Sequence, residues 1–153
     1  MTTFCPCQSS KRYSDCCQPF HLGSVLPETA EQLMRSRYAA YTQVNIAYLV
    51  ATTVPSQQKL LNQDAMEQWG RTTQWAGLEI LSHQPNLSKN HSTVEFNALF
   101  HAEEGRQAHH ELSLFVRIDG RWYFVDPTVP RPSQKQPCIC GSGKKFKHCC
   151  GIL

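Results

Sequence analysis

The feature that most constrains this chain is a cysteine pattern that occurs once near each end. Residues 5–17 read CPCQSSKRYSDCC and residues 138–150 read CICGSGKKFKHCC. Both follow the spacing C-x-C, eight residues, then C-C, and six of the thirteen positions are identical. Repetition of a whole pattern at one spacing indicates two copies of the same small structural unit.

Metal binding explains this spacing better than disulfide bonds do. Cysteines that are adjacent or one residue apart would form small strained rings if they paired with each other. A C-x-C pair at a tight turn and a following C-C pair place four sulfurs around one ion, as in structural zinc sites. We therefore predict about two structural Zn²⁺ ions. The predicted ligands are Cys5, Cys7, Cys16 and Cys17 at one site and Cys138, Cys140, Cys149 and Cys150 at the other.

The two copies differ in their turns. In the C-terminal copy the segment 141–143, Gly-Ser-Gly, provides a free turn, and residues 143–149 are expected to form a short helix. The N-terminal copy has Gln8 and Ser10 at the glycine positions, so its turn is expected to be less free. Three alternatives stay open: His148 replaces one thiolate, a single ion bridges both copies, or the cysteines are buried or redox-active free thiols.

The positive charge of the chain is concentrated at its C-terminal end. The net charge is +3 overall, yet residues 1–130 hold ten basic and twelve acidic side chains and so sum to −2. Residues 131–153 hold no acidic residue and five basic ones, which are Arg131, Lys135, Lys144, Lys145 and Lys147. This field suits an acidic protein surface or a ribonucleoprotein as partner, and it equally suits neutralisation of an anionic metal–thiolate centre.

Between the cysteine patterns the sequence predicts an α+β domain. We place it at residues 22–132, between an N-terminal motif at 1–21 and a C-terminal motif at 133–153. Apolar residues at helical spacing predict helices, and alternation with a period of two then predicts strands. The predicted helices span 28–50 and 57–69, and the predicted strands span 75–83, 93–102, 109–118 and 121–126. Helices followed by an antiparallel meander indicate an α+β fold.

The dipeptide Asp119-Gly120 predicts a two-residue hairpin turn and with it a register. Arg117 then lies opposite Trp122, Phe115 opposite Phe124, and Ser113 opposite Asp126. Glu111 joins the same face of the sheet. That face therefore combines aromatic side chains, a hydroxyl and two carboxylates. The six residues opposite one another and Glu111 are the candidate lining of a pocket.

This face allows two readings. Glu111 and Asp126 are candidates for an acid and base pair, with Ser113 beside them and Arg35 or Arg37 approaching from the first helix. Alternatively, the charges form a buried ion pair that fixes helix against sheet, which is the reading we favour. A cavity filled by aromatic side chains would favour a binding module, and an open polar cavity would favour an enzyme.

Five histidines carry weak signals. His109 and His110 are adjacent and point to opposite faces of their strand, so they do not easily share a metal. His101 lies on the polar side of its strand, and His83 and His91 flank a loop. We interpret all five as solvent-facing or capping residues.

The terminal element with GSGKKFKHCCG resembles the SEC-C motif, which is similar to the zinc-binding tail of the translocase ATPase SecA. Two such elements, together with LMRSRYAAY at 33–41 and HELSLFVRIDGRWYFVD at 110–126, resemble the YchJ-like family of uncharacterised bacterial proteins over essentially the whole chain. The resemblance implies a nuclear transport factor 2-like (NTF2-like) cone of helices on a curved antiparallel sheet, flanked by two zinc knuckles. It implies zinc ligands at the eight cysteines and no particular activity.

The sequence favours a cytoplasmic binding protein. It has no basic, apolar leader and no run of about 18 apolar residues that would span a membrane. We predict a zinc-stabilised protein-interaction module, associated with chaperones, the translocase or ribosomes, in preference to an enzyme. The alternatives are a small-ligand-binding protein or a hydrolase- or isomerase-type enzyme that uses the central pocket, and a thiol redox sensor.

Overall fold

The computed structural model describes residues 4–150. We name residues 5–17 the N-terminal knuckle and residues 138–150 the C-terminal knuckle. The helices are α1 (Cys17–His21), α2 (Ala30–Thr42), α3 (Ile46–Ala51), α4 (Pro55–Gln58) and α5 (Gln63–Thr72). The strands are β1 (Gln74–Ser88), β2 (His91–Ala102), β3 (Gly105–Ile118) and β4 (Arg121–Val125). No helix within residues 4–150 is long and apolar enough to cross a membrane.

The four strands form one antiparallel sheet in the order β1-β2-β3-β4. The hairpin between β3 and β4 has the predicted register, with Arg117 opposite Trp122. Asp119 and Gly120 have φ values of +51° and +79°, as a two-residue turn with both central residues left-handed requires. The predicted α+β meander is therefore confirmed.

The predicted helix 28–50 is wrong, because the chain leaves the helical path after Thr42. Val44 adopts a left-handed conformation with φ +56°, and the Asn45 N–H donates to the Ala40 carbonyl at 2.8 Å. These are features of a Schellman termination, which usually has glycine at the left-handed position. A valine at that position carries no sequence signal for a helix end.

The second predicted helix, 57–69, is also two helices. Pro55 occupies the first position of α4, where its missing N–H costs no hydrogen bond, so it begins a helix and does not break one. Asn62 caps α5 by accepting a hydrogen bond from the Ala65 N–H at 3.0 Å. The second of these helices, α5, ends at Thr72, three residues beyond the predicted end, and β1 begins two residues later.

The sheet separates two apolar clusters. Phe115 and Val116 are neighbours on β3 and therefore face opposite sides of the sheet. Phe115 packs in a cluster with Leu33 and Tyr38 of α2, and Val116 packs in a second cluster with Phe146 of the C-terminal knuckle. Cysteines of the N-terminal knuckle belong to the first cluster and those of the C-terminal knuckle to the second. The knuckles thus complete different cores.

The edge of β4 is covered by the segment that joins α3 to α4. The Val54 N–H donates to the Phe124 carbonyl at 2.9 Å, and the Phe124 N–H donates to the Thr52 carbonyl at 2.8 Å. Pairing of this kind removes an exposed strand edge and fixes the helices relative to the sheet.

Candidate metal centres and the central cavity

The four cysteines of each knuckle converge. The sulfurs of Cys5, Cys7, Cys16 and Cys17 lie within 4.8 Å of one another, and so do those of Cys138, Cys140, Cys149 and Cys150. All eight cysteines are free, seven are buried, and Cys16 is half-buried. The two groups are separate, so the reading in which one ion bridges both knuckles is wrong.

The spacing of the sulfurs fits a tetrahedral metal site. The Sγ–Sγ distances are 3.6 Å from Cys7 to Cys16, 3.9 Å from Cys16 to Cys17 and 3.5 Å from Cys140 to Cys149. Four thiolates about 2.3 Å from a zinc ion have sulfurs about 3.8 Å apart. A disulfide would require about 2.05 Å. Both clusters can hold a metal ion, and the assignment of each sulfur as a ligand stays a prediction.

The two knuckles share one backbone pattern. The Cys5 N–H donates to the Lys11 carbonyl at 2.8 Å, and the Cys138 N–H donates to the Lys144 carbonyl at 2.9 Å. In each knuckle this bond closes a small loop that carries the C-x-C pair. The internal sequence repeat is therefore a structural repeat.

A serine beside the sulfurs is a second shared feature. The Ser142 hydroxyl donates to Cys149 Sγ at 3.4 Å, and Ser9 Oγ lies 3.1 Å from Cys16 Sγ. Ser9 and Ser142 are identical between the two copies, and this identity is the signal that could have predicted their role. Hydroxyl donors stabilise the charge of a thiolate.

The expected helix over 143–149 is wrong, because only a 3₁₀ turn, Phe146–His148, precedes the C-C pair. Cys149 has φ −135° and ψ −112°, outside the helical region. Successive side chains on a helix point about 100° apart. The chain must therefore leave the helix for two adjacent cysteines to reach one ion.

The lower freedom expected of the N-terminal turn stays a prediction, but its backbone path matches that of the C-terminal turn. Gln8 and Ser10 have φ values of +65° and +70°, close to the +77° and +84° of Gly141 and Gly143. Both turns therefore follow the same left-handed path, although only one has glycine there.

Contact with the sheet explains the residue at position 8. The Gln8 side-chain oxygen accepts a hydrogen bond from the Leu78 N–H at 3.2 Å. Its amide also lies against Gly77, where an added Cβ would come within 2.8 Å of it. Gln8 thus anchors the N-terminal knuckle to an irregularity in β1.

Proximity of the sulfurs shifts their pKa values in opposite directions. Hydrogen bonds from Cys17 and Cys5 lower the pKa of Cys7 strongly. The pKa of Cys17 shifts the other way: hydrogen bonding to Cys5 and Cys7, together with burial, raises it. The hydrogen bond between Cys5 and Cys17 lowers the pKa of Cys5. Its hydrogen bond with Cys7 and burial outweigh this effect and raise the pKa of Cys5 to about 11. In the second centre, burial and then the bond with Cys138 raise the pKa of Cys150. Metal binding must therefore displace protons from these clusters.

A histidine contacts the sulfurs of the C-terminal cluster, and it is His91 and not His148, the alternative ligand considered from the sequence. His148 is exposed, and the four clustered donor atoms are all sulfurs. His91 at the start of β2 is buried instead, with Nε2 at 3.3 Å from Cys150 Sγ and 4.0 Å from Cys149 Sγ. The prediction of a solvent-facing or capping His91 is thus wrong. No sequence signal near residue 91 indicates this contact, because it depends on how the knuckle packs on the sheet.

The hydrogen bonds of His91 define its role at a metal-bound Cys150. A coordinated thiolate has no proton to donate, so His91 Nε2–H must donate to the sulfur. Nδ1 then accepts from the Ser88 hydroxyl, which lies 2.6 Å away. His91 therefore connects β1 and β2 to the metal centre as an outer hydrogen-bond donor.

The two arginines from the first helix do not pair with the sheet carboxylates. Arg35 donates to Glu31 at 3.2 Å and to the Cys7 carbonyl at 2.8 Å, so it supports the N-terminal knuckle. Arg37 is buried and donates to the Leu49 carbonyl and the Thr52 hydroxyl. Burial lowers the pKa of Arg37. No ion pair within 4 Å joins either arginine to a sheet carboxylate in the described part of the chain, so the favoured ion-pair reading is wrong.

The three candidate residues on the sheet are only partly brought together. Strand pairing ends where Leu114 lies opposite Val125, so Ser113 and Asp126 do not form the predicted pair. Ser113 is buried and donates to Glu111 at 2.5 Å. Glu111 and Asp126 both line a cavity, and Ser113 does not.

This central cavity has a volume of about 530 Å³ and lies between α2, α5 and the sheet. Its walls are mainly apolar and aromatic, with Glu111, Asp126 and Arg37 as the charged members. Tyr38 and Tyr41 line it without filling it, and Phe115 belongs to the core behind. The cavity is therefore neither closed by aromatic side chains nor predominantly polar.

The other histidines differ in environment. His101, His109 and His110 are exposed, as predicted. His83 is half-buried, with Nδ1 at 3.9 Å from Glu31. Its Nε2 is buried without a hydrogen-bond partner among residues 4–150. The Arg117 guanidinium lies 5.5 Å from the ring centre of Trp122, at the distance of a cation–π contact.

Comparison with known proteins defines the class. Residues 29–127 match the family described as "YchJ, middle NTF2-like domain", and residues 135–152 match the SEC-C motif. A crystal structure of a SEC-C motif containing protein from Psychrobacter arcticus superposes with a TM-score of 0.92 at 50% identity, covering 97% of this chain and 96% of that chain. A SEC-C motif containing protein from Rhodopseudomonas palustris superposes with a TM-score of 0.73 at 37% identity, covering 80% of this chain and 94% of that chain. Fold and site thus define an NTF2-like domain that carries SEC-C knuckles.

Relatives of known sequence define the family. A UPF0225 protein of Actinobacillus succinogenes is 60% identical over 99% of this chain and 98% of its own length. A UPF0225 protein of Haemophilus influenzae is 63% identical over 96% of this chain and 91% of its own length. One from Geobacter sulfurreducens is 41% identical over 99% of this chain and 99% of its own length. This chain belongs to the UPF0225 family of YchJ-like proteins, which confirms the resemblance inferred from its sequence.

Proposed function

We propose that this protein is a binding module that holds one structural Zn²⁺ ion in each knuckle. The observation that carries the proposal is the gathering of four sulfurs at tetrahedral spacing, twice in one chain, with seven of the eight cysteines buried. A tetrahedral set of four thiolates selects zinc or iron among the common metals, and zinc is the usual choice in closed structural sites. Four protein ligands leave no position for a water or substrate, so the ions would stabilise the fold and not catalyse a reaction.

Metal content tests the first half of this proposal. Elemental analysis of purified protein is expected to give about two zinc ions per chain. Cys7→Ser and Cys140→Ser should each lower the content to about one, with Ser14→Ala as a control that changes no ligand. A folded protein without metal, or one that holds iron, would contradict the zinc assignment.

The role of the module rests on the surface of the C-terminal knuckle. Lys144 and Lys145 are exposed, as are Arg131 and Lys135, and residues 131–150 contain no acid. A four-thiolate zinc centre has a formal charge of −2, which five cations exceed. The surplus positive charge favours an acidic partner.

An apolar groove next to these cations suggests the character of the partner. The groove has a volume of about 250 Å³ and is lined by Leu87 and Leu112 of the sheet, Ile139 of the knuckle and the cation Arg131. Leu112 is 63% exposed, which is unusual for a large apolar side chain on a sheet. We propose an acidic protein segment with interspersed apolar side chains as its occupant, in the setting of chaperones, the translocase or ribosomes.

Charge reversal tests the partner. A Lys144→Glu/Lys145→Glu/Lys147→Glu variant should lose partners that wild type captures from a native lysate. A control with Lys59→Glu/Lys89→Glu/Arg106→Glu has the same change in net charge outside the C-terminal knuckle and should keep them. Partners that survive nuclease treatment support a protein surface, and nuclease-sensitive partners support RNA. Equal recovery by both variants would contradict the docking role.

Compartment and redox response follow from the same thiols. Eight free cysteines persist best in a reducing compartment, so we place the protein in the cytoplasm. Redox sensing through oxidation-driven metal release stays a prediction, for which Cys16 is the most accessible sulfur.

A further inference from the structure

The central cavity has the features of a small-molecule site. Aromatic rings form one continuous wall: the Trp69 ring centre lies 5.0 Å from Tyr41, 5.2 Å from Trp75 and 5.6 Å from His109. Trp69 is 40% exposed, and it lines the cavity together with the exposed Leu60. A concave site with mainly apolar walls and a few polar groups is the usual form of a ligand pocket.

Negative charge exceeds positive charge along this wall. Glu111 and Asp126 contribute two carboxylates, and Arg37 contributes the only guanidinium among the described lining residues. The Arg37 guanidinium stacks 4.2 Å from the ring centre of Phe124 and is held by neutral acceptors. It forms no ion pair within 4 Å with either carboxylate, and among the described lining residues His109 is the other group that can carry positive charge, with Nε2 at 3.8 Å from Glu111 Oε1.

The two carboxylates are positioned by neighbouring groups. Gln57 bonds to the backbone of Asp126 on both sides, accepting from its N–H at 2.9 Å and donating to its carbonyl at 3.1 Å. Asp126 Oδ1 accepts from the N–H and the hydroxyl of Thr128. Oδ2 accepts no hydrogen bond from the described residues.

Glu111 connects the acidic end of the cavity to its aromatic end. Ser113 donates to Glu111 Oε2, and His109 Nε2 lies 3.8 Å from Oε1. The same His109 ring packs edge-on against Trp69. A cation beside Glu111 would therefore be separated from the aromatic wall by the His109 side chain alone.

We infer that the central cavity binds a small organic cation with an apolar body. The positive group, an ammonium or amidinium, would pair with Glu111 and Asp126. Its apolar part would pack against Trp69, Trp75 and Tyr41, whose ring faces also attract cations. A neutral apolar molecule would leave the excess carboxylate uncompensated, and an anion would be repelled by it.

Matched probes test this inference directly. Phenylethylammonium, 2-phenylethanol and 3-phenylpropanoate have similar bodies and carry positive, no and negative charge. Tryptophan fluorescence and isothermal titration, at one ionic strength, should show saturable binding of the cation at least about tenfold tighter than of the alcohol, and weaker binding still of the anion.

Variants identify the groups responsible. Glu111→Gln and Asp126→Asn should each weaken cation binding several-fold without weakening alcohol binding, whereas Glu95→Gln, a carboxylate of the same sheet outside the cavity, should change neither. Trp69→Leu should weaken the cation more than the alcohol. Zinc content and circular dichroism identify variants that fail to fold. Equal affinity for cation and alcohol, preference for the anion, or no saturable binding of any probe by folded wild type overturns the inference.

Discussion

Gln8 occupies a left-handed position that glycine fills in the other knuckle, and its contacts show why a larger residue stands there. Left-handed backbone costs a non-glycine residue about 1 kcal/mol. The hydrogen bond from Leu78 and the contact with Gly77 offset that cost. At this position the side chain holds the knuckle on the sheet, whereas a Cβ added at the equivalent Gly141 would meet nothing within 4 Å.

The contact between Gln8 and Gly77 leads to a stability prediction. Gly77→Ala places a Cβ 2.8 Å from the Gln8 amide at φ +141° and should lower the free energy of unfolding by about 2–3 kcal/mol. Gly105→Ala, at φ +113° in open space, should cost about 1 kcal/mol less and serves as the control. Urea denaturation measures both. In a Gln8→Gly background the two costs should become equal, and a persistent difference would contradict a clash with Gln8.

His91 leads to a prediction about metal retention. His91→Ala removes the hydrogen bond to Cys150 and should weaken the C-terminal metal site about tenfold, the low end of outer-donor effects. His148→Ala should have no effect, because that side chain is exposed. Competition with a chromophoric chelator measures both. Metal loss in the His148 variant alone would show that the wrong histidine has been assigned.

At the scale of elements, the break between α2 and α3 shapes the helical layer. Val44 turns the chain after α2, and Asn45 then caps α3 by accepting from the Tyr48 N–H at 3.2 Å. The turn brings α3 back against α2, where Tyr48 and Ser36 share a hydrogen bond of 2.7 Å. Two short helices therefore replace one long one, because one straight helix could not make this contact.

Val44 at this turn gives a prediction in which a substitution stabilises. Val44→Gly relieves a β-branched residue in the left-handed region and should raise the free energy of unfolding by up to about 1 kcal/mol. Val50→Gly, within helical α3, should lower it by about 1 kcal/mol. Thermal and urea denaturation measure the pair. A loss of stability on Val44→Gly would mean that valine packing outweighs backbone strain.

At the scale of the whole molecule, the two four-cysteine clusters belong to different cores. Cys5, Cys7 and Cys17 belong to the cluster that joins α2 to the sheet, whereas the C-terminal cysteines cover Val54 and Val116 on the other side. Loss of one metal should therefore loosen one side of the protein and leave the other comparatively intact.

Matched ligand substitutions test this division. Cys7→Ser and Cys140→Ser are equivalent positions of the repeat, and both should reduce stability because structural zinc contributes directly to folding. The first should lower the unfolding temperature more, since it disrupts the main core. Hydrogen exchange should increase in α2 for the first variant and around Val116 for the second. The same exchange pattern in both would argue that the cores are coupled.

Local signals made the metal centres and the sheet predictable. The cysteine spacing, the alternation of apolar residues and Asp119-Gly120 each act over a few residues, so they can be read without a structure. The end of α2 at Thr42 and the 3₁₀ turn Phe146–His148 could not be read in this way, because Val44 gives no termination signal and no local pattern separates the short turn from the expected helix.

The sequence by itself therefore determined the repeated four-sulfur centres, the α+β meander and the register of its last hairpin. Only the tertiary structure decided that His91 lies against Cys150, that Gln8 is bound by Leu78, and that neither Arg35 nor Arg37 forms an ion pair with the sheet carboxylates. The physical reason is distance along the chain. His91 and Cys150 are 59 residues apart and Gln8 and Leu78 are 70, so these contacts arise from packing of whole elements and leave no local pattern.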